Sequence, residues 1–573
     1  MSSVTPVESS SARTLKSQSR LPGLIVAVAS LYWLFQVAWF WRYCGRNINI
    51  DAICYIGIAR HITDGNFRAS LHGYWSPLIS WLIAAASFAG HDRTLMARVV
   101  TLGCFALCLF LIYWLTLSLW GSRLLSALAA VWFVAARSVA AFSVYFIGAD
   151  LLLTALILTY FIALLGCLRQ PDRSVKWFAL GVAHGFAFLA KAISMPLLAF
   201  ATVLAVLFTH GKSPRSAARA LIVSAVFPAL VWIGWGTALR QKYGVFTTGY
   251  QLHWNLLDRA ERDALGKTGM LAIRDTRQIS DSYLVSDQMP PGSSAWQAKV
   301  LKPSLIPEIA QKEAFNLPQA CKELLVLLTP GGFLALGLCA WQLTRRRRSH
   351  VIYFHFCWIA LLTTAMLALA YSMLVFDGRY VLPVTALLMA LSIRFAVPSA
   401  AIRSSNNLVP DDIPDAGLWP TIVGLLIVAG LIFVQFYWAS PFRTIRQDFQ
   451  RSTYDASETI KRGRARTIVN IGRGPYPEHG VGWEAGYYAA YFSNARIAGE
   501  LQELSSGVAP SSIVTDVATL SPDAILIWGI SADSNYSRVV DSLREAYPKA
   551  KLTGIRDPIK GEVGTVLLLT SAD

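Results

Sequence analysis

Charge is scarce in this chain. Only 15% of its 573 residues are Asp, Glu, Lys or Arg, against roughly 25% in an ordinary soluble chain. Acidic residues are the scarcer half, 34 against 51 basic, which leaves a net charge of +17. A basic excess of that size suggests nucleic-acid binding, but the Lys and Arg residues gather in short loops between apolar runs. That distribution follows the positive-inside rule and excludes a nucleic-acid partner. The eight cysteines lack metal-like spacing. Five of them (Cys104, Cys108, Cys167, Cys339, Cys357) fall inside apolar runs, where Cys behaves as a small hydrophobe. Cys44 and Cys54 form a disulfide only if both face an oxidising compartment. No small-residue cleavage site follows the first apolar run, Leu21 to Trp41, so it reads as a retained anchor. No internal repeat is evident.

What the chain has in place of charge is a series of apolar runs near 20 residues long, from Leu21 to Trp438. Each is long enough to cross a hydrocarbon core about 30 Å thick. Arg13, Lys16 and Arg20 precede the first run, which places the amino terminus in the cytoplasm. Pro77 to Gly90 is apolar but too short to span, and suits an interfacial helix. With that choice, spans are expected near 21–41, 95–119, 123–143, 150–168, 177–191, 193–209, 218–238, 322–342, 351–375, 380–397 and 419–438, about eleven in all. Lys191 and Pro196 leave 177–209 readable as one bent helix as well. The strongly basic short loops (Arg169 to Lys176, Lys212 to Arg219, Arg345 to Arg348) then all fall inside. Counting Pro77 to Gly90 as a span would put Arg345 to Arg348 outside.

Three long stretches are left outside: Arg42 to Thr94, Leu239 to Ala320 and Ala439 to Asp573. The last reads as a small α/β domain. Thr467 to Ile471, Ala524 to Trp528 and Thr565 to Thr570 look like buried strands, while Trp483 to Phe492 and Tyr536 to Tyr547 look like helices. Alternating strands and helices predict a parallel, layered sheet. The expected organisation is thus an unstructured segment 1–20, a membrane domain 21–439 with outer loops 42–94 and 239–320, and a soluble domain 440–573 that folds separately.

The candidate chemistry sits at the outer ends of the spans. Asp51 opens a helical pattern closing at Gly65, with Tyr55 one turn along the same face. Asp51 either caps that helix or accepts a proton from an attacking hydroxyl. Asp150 ends Gly148-Ala149-Asp150 and opens the next run. It is either an interfacial cap or the wall of a cavity at membrane depth. Arg379 lies in a short outer loop, against the positive-inside bias, and so requires a partner. That partner is either Asp377 or a bound anion, and a phosphate suits the planar guanidinium fork. Lys191 either snorkels to the interface or helps to hold phosphate. His61 reads as a polar-face residue. Arg473-Gly474-Pro475 reads as a plain turn, and the spacing around His253 and Trp254 supports no role.

Four pieces in this order resemble the GT-C membrane glycosyltransferases, which include the protein O-mannosyltransferases and the lipid A aminoarabinose transferases. They are Asp51-x3-Tyr55-x3-Ala59-Arg60-x4-Gly65; Gly73-Tyr74-Trp75-Ser76-Pro77-Leu78 with Ala97-Arg98 after it; Asp150 at a span's start; and Arg379-Tyr380-x2-Pro383. The resemblance covers roughly residues 21 to 440. It implies an α-helical polytopic GT-C-like fold in the cell inner (plasma) membrane, with a C-terminal extracytoplasmic α/β domain. It also implies transfer of a sugar from a polyprenyl phosphate to an acceptor hydroxyl. By this resemblance Asp51 is a catalytic base or a metal-supporting carboxylate, and Asp150 is a second acidic group. A divalent metal, of no stated identity, would rest on these two. Arg379, with Tyr380 and Lys191, would bind the donor phosphate, and Tyr55, Arg60, Tyr74, Trp75 and Ser76 would line the substrate cavity. One departure stands out: the aminoarabinose transferases carry Lys before the Pro where this chain has Ser76. Asp51, Asp150 and Arg379 are expected to converge on one outward cavity. A transporter or lipid flippase, which favours polar groups and broken helices near the midplane, is the rival reading. A non-catalytic subunit with the same fold is a third.

Overall fold

A backbone inside lipid has only itself to hydrogen-bond, so apolar runs of this length fold as helices. The computed structural model describes residues 10–44, 48–90, 92–136, 143–144, 146–249, 274–275, 306–345, 351–372, 378–397, 422–424, 426–430, 451–472, 485–501, 509–529, 534–557 and 561–569. Expectations for Arg346 to Arg348, His253, Trp254, Asp377 and Arg473 to Pro475 lie outside the described residues.

Two compact units share the chain. The first comprises residues 1–42, 98–235 and 302–440. Among the described residues of the whole chain, six helices are long and apolar enough to cross a membrane: Arg93–Trp120, Asp150–Arg169, Pro214–Tyr243, Glu313–Trp341, Val351–Ser372 and Arg379–Ala396. Shorter apolar helices include Pro22–Ala38, Arg123–Ala135, Ser174–Ala190 and Ser194–His210. The last two have 17 residues each, about 25 Å at 1.5 Å per residue. They settle the reading of 177–209: the chain breaks at Lys191, which is extended (φ −155°, ψ 126°). Pro196 then falls in the first turn of the second helix, where its missing N–H has no intrahelical partner to lose. The first helix, Ser10–Cys44, starts inside the segment expected to be unstructured. Ala12, Leu15 and Lys16 are helix formers that can extend it from the apolar run.

The Asp150–Arg169 helix is buried along most of its length and packs against Ser174–Ala190, Leu382–Ser392 and Val351–Ser372. Tyr160 fixes its middle by hydrogen bonds to the Leu198 carbonyl (2.9 Å) and the Thr202 hydroxyl (2.8 Å). Trp120 donates to the Ala390 carbonyl at 2.9 Å. Ser174–Ala190 approaches Pro214–Tyr243 closely at Gly181, where a Cβ would stand 2.3 Å from the Ser224 carbonyl oxygen. The obstacle is backbone and cannot swing aside. Gly181→Ala is therefore expected to destabilise the protein by about 1–3 kcal/mol, read as a lower melting temperature in detergent. An unchanged melting temperature would mean that the two helices are free to part.

The second unit gathers residues 43–97, 236–301 and 441–573. Its helix Ile50–Thr63 is buried on all sides from Ala52 to Ala59, as its apolar circumference requires. Cys54 lies within this buried stretch with a free thiol, so no disulfide joins it to Cys44. It packs with Ile58, Ile62 and Trp75. Leu78–Ser87 has ten residues, about 15 Å, and is too short to cross a bilayer.

The sheet has six strands: β1 (Arg274–Asp275), β2 (Thr467–Ile471), β3 (Arg496–Leu501), β4 (Ala524–Trp528), β5 (Lys551–Asp557) and β6 (Gly561–Leu568), in the order β1-β3-β2-β4-β6-β5. It is mixed, not parallel. β3-β2-β4 are parallel, but β6 runs antiparallel to both β4 and β5, and β1 antiparallel to β3. Only three residues separate β5 from β6. So short a link allows a hairpin but no parallel crossover. A core of Val469, Ile471, Ile525, Ile527 and Leu567 meets Ile513, Val517, Val539 and Leu543 from the flanking helices. This sheet is not closed on itself. Arg60 donates to the Asn494 side chain at 2.6 Å, Thr94 and Tyr491 share a hydrogen bond of 2.6 Å, and β1 comes from the 236–301 stretch.

Candidate active site

Asp150 begins its helix because Gly148 and Ala149 precede the apolar run. Ala149 is the N-cap, and its carbonyl accepts from Leu153. A carboxylate in this first turn is favoured by the helix dipole. Two cations meet it. The Lys191 ammonium, delivered by the break between two helices, stands 2.5 Å from Asp150 Oδ1. The Arg379 Nε stands 3.8 Å from Asp150 Oδ2. Arg379 lies in the 3-10 turn Gly378–Val381, and Pro383 starts the helix that follows. Three residues far apart in sequence thus form one cluster with side chains 11–13% exposed.

Aromatic rings complete it. Tyr371 and Tyr380 stack with centroids 4.4 Å apart and planes 11° apart. Lys191 Nζ lies 4.5 Å from the Tyr380 centroid and 5.6 Å from that of Tyr371. The Arg379 guanidinium covers Phe146 at 4.4 Å and Tyr380 at 5.2 Å. Such contacts orient both cations and gain strength where water is excluded. A small cavity beside them is lined by Phe146, Gly148, Asp150, Leu151, Arg379 and Leu382. Among the described residues, two cations against one carboxylate leave one positive charge in excess, suited to a phosphate.

The same geometry disfavours a metal at Asp150. Both of its oxygens already face cations, and a divalent ion would have to displace them. Among the described residues no group of three His, Cys, Asp or Glu side chains is placed to hold a metal ion. The metal role expected of Asp150 therefore does not fit.

The remaining candidates belong to the second unit. Asp51 is half-buried in the first turn of Ile50–Thr63, but the N-cap of that helix is Asn49. Tyr55 meets Trp75 edge-on at 5.2 Å, and Trp75 meets Tyr74 at 4.8 Å. Ser76 ends that turn, ahead of Pro77, the N-cap of Leu78–Ser87. Arg60 is ion-paired with Asp64 (3.4 Å) besides its bond to Asn494. The turn itself is shaped by His72, 1% exposed, whose Nδ1 accepts from the backbone N–H of Tyr74 (3.0 Å) and Trp75 (3.2 Å). The Tyr243 hydroxyl accepts from Gly73 N–H at 3.2 Å, and Lys242 donates to the Leu71 carbonyl.

Sequence reasoning missed His72, Tyr371 and Glu313, a carboxylate that accepts from the Ser372 hydroxyl at 2.5 Å. His72 stands one residue before the Gly73 motif and could have been noticed. Tyr371 and Glu313 sit in segments with no motif.

The arrangement of helices and sheet was compared with solved structures. ArnT from Cupriavidus metallidurans bound to undecaprenyl phosphate matches with a TM-score of 0.53 and 12% identity, covering 96% of this chain and 98% of that one. The same protein in its apo state gives 0.51 and 13%, with 97% and 99% covered. The Archaeoglobus fulgidus oligosaccharyltransferase in its apo form gives 0.57 and 12%, with 97% and 75% covered. This is the fold of the GT-C membrane glycosyltransferases. With that fold go the six described helices long and apolar enough to cross a membrane and the small sheet towards the carboxyl terminus. No family model and no curated protein matches it.

Proposed function

We propose that the chain is a glycosyltransferase that moves a sugar from a polyprenyl phosphate to an acceptor hydroxyl at the outer face of the plasma membrane. The observation that carries this reading is the buried Lys191–Asp150–Arg379 cluster with its excess positive charge, in a GT-C fold. An undecaprenyl phosphate bound to the similarly folded ArnT supports a lipid-linked phosphate as the donor's leaving group.

In the proposed reaction the acceptor oxygen attacks the anomeric carbon. The bond from that carbon to the phosphate oxygen breaks, and the phosphate leaves with the electron pair. Attack from the opposite face inverts the anomeric carbon. Asp51 takes the acceptor proton. Lys191 and Arg379 neutralise the charge that grows on the departing phosphate, and Tyr380 holds Lys191 in place. Asp150 acts through these two cations as a positioning residue.

The test is a mass-spectrometric comparison of lipid-linked sugars and glycoconjugates in cells with and without the chain. A lipid-linked sugar should accumulate, and a glycoconjugate should lose one sugar, when the chain is absent. Identical profiles would overturn the proposal. The proposed sidedness is tested separately, with Cys44 and Cys321 first replaced by Ser. A Cys introduced at Glu545 should label in intact cells with an impermeant maleimide, whereas one at Lys212 should not. The opposite pattern would put the α/β domain in the cytoplasm.

A further inference from the structure

Tyr371 is the penultimate residue of the Val351–Ser372 helix and is 5% exposed. Its ring is fully used: it stacks on Tyr380 and faces the Lys191 ammonium. Its hydroxyl is not, for this buried oxygen has no hydrogen-bond partner among the described residues. Buried hydroxyls left unmet are uncommon and costly, and each calls for an explanation. Phenylalanine would keep the stack without that cost. The explanation lies in the neighbours. The Lys191 ammonium lies 5.6 Å from the Tyr371 ring centroid, and the Tyr380 ring stacked on it also carries the Arg379 guanidinium. A neutral O–H on a ring packed into a cluster that holds, among the described residues, two cations and one carboxylate complements an anion.

We propose that the Tyr371 hydroxyl donates a hydrogen bond to the phosphate held by Lys191 and Arg379, as a third ligand to the lipid-linked donor. This rests on the glycosyltransferase reading above and adds a residue to its donor site. Two cations fix the phosphate's charge but little of its rotation; a third donor from another helix orients it. Tyr371 thereby selects a phosphate over an uncharged lipid headgroup of similar size.

The experiment uses the purified full-length protein in nanodiscs and three probes: undecaprenyl phosphate, undecaprenol and inorganic phosphate. Tyr371→Phe removes one oxygen and keeps the stack. It should weaken undecaprenyl phosphate binding roughly 10- to 100-fold, the range for a hydrogen bond to a charged group. Undecaprenol binding should not change, and the melting temperature should hold or rise. Tyr371→Met, of similar bulk, is the second variant if the first does not accumulate, and should lose at least as much affinity. Equal affinity of wild type and Tyr371→Phe for undecaprenyl phosphate would overturn this inference and leave the donor reading standing. A wild type that binds undecaprenol as well as undecaprenyl phosphate would overturn both. So would a wild type that binds inorganic phosphate but not the lipid, since that describes a free-phosphate site.

Discussion

Replacing Asp51 with Asn is expected to lower the transfer rate by a factor of about 10²–10⁴ while the protein stays folded. The substitution is nearly isosteric and removes the proton acceptor. The competing explanation is that Asp51 serves only the helix it opens. That helix already has Asn49 at its N-cap, and Asp51 lies in the first turn. A carboxylate acting there through the helix dipole contributes about 0.3–1 kcal/mol of stability and nothing to turnover. Single-turnover transfer by purified Asp51→Asn protein separates the two. A wild-type rate would reduce Asp51 to a structural residue and leave the proposed reaction without a base.

Asp150→Asn should produce the largest loss of stability. It leaves Lys191 and Arg379 buried together without their counter-ion, and breaking a buried ion pair from one side costs about 3–5 kcal/mol. The side chains are 11–13% exposed, so solvent screens them little. The double variant Asp150→Asn with Lys191→Met should recover most of the lost stability, because an apolar replacement of a buried pair is often neutral. It should not recover transfer, since Lys191 is proposed to hold the phosphate. Thermal unfolding and transfer measured on the same four proteins complete the cycle. An unshifted melting temperature in Asp150→Asn would mean the cluster is solvated. Transfer restored in the double variant would remove Lys191 from the site.

Much of this was legible in the residues, for a definite reason. In an apolar chain an ionisable side chain at a span's edge is conspicuous, and Asp150, Lys191 and Arg379 each stood out. Their pairing was not legible, because separations of 41 and 188 residues say nothing about which helix lies beside which. Asp377 was the obvious neighbour for Arg379 and lies outside the described residues; among those described, the carboxylate facing Arg379 is Asp150, 229 residues away. Among the strands, Thr467–Ile471 and Ala524–Trp528 announce themselves as runs of buried apolar residues. β3 and β5 do not, since Gly499, Glu500, Gly554 and Arg556 interrupt them. The change in composition near Ala439 marks where the apolar runs end. It does not mark where packing ends, because the later residues bind Arg60 and Thr94 from the first loop. A tail expected to fold separately thus shares its unit with Asp51.

β1 bears on a hazard that every open sheet carries. A sheet edge with unpaired main-chain groups invites a strand from another copy. At one edge of this sheet β5 carries exposed Lys551 and Arg556, charges that discourage such pairing. At the other, Arg274 and Asp275 pair with Glu500 and Gly499 of β3. These two residues come from a stretch otherwise remote in sequence. Shortening that stretch enough to remove β1 would leave the outer edge of β3 open to a strand from another copy. β1 therefore also works as an edge guard, closing one side of the sheet to foreign strands.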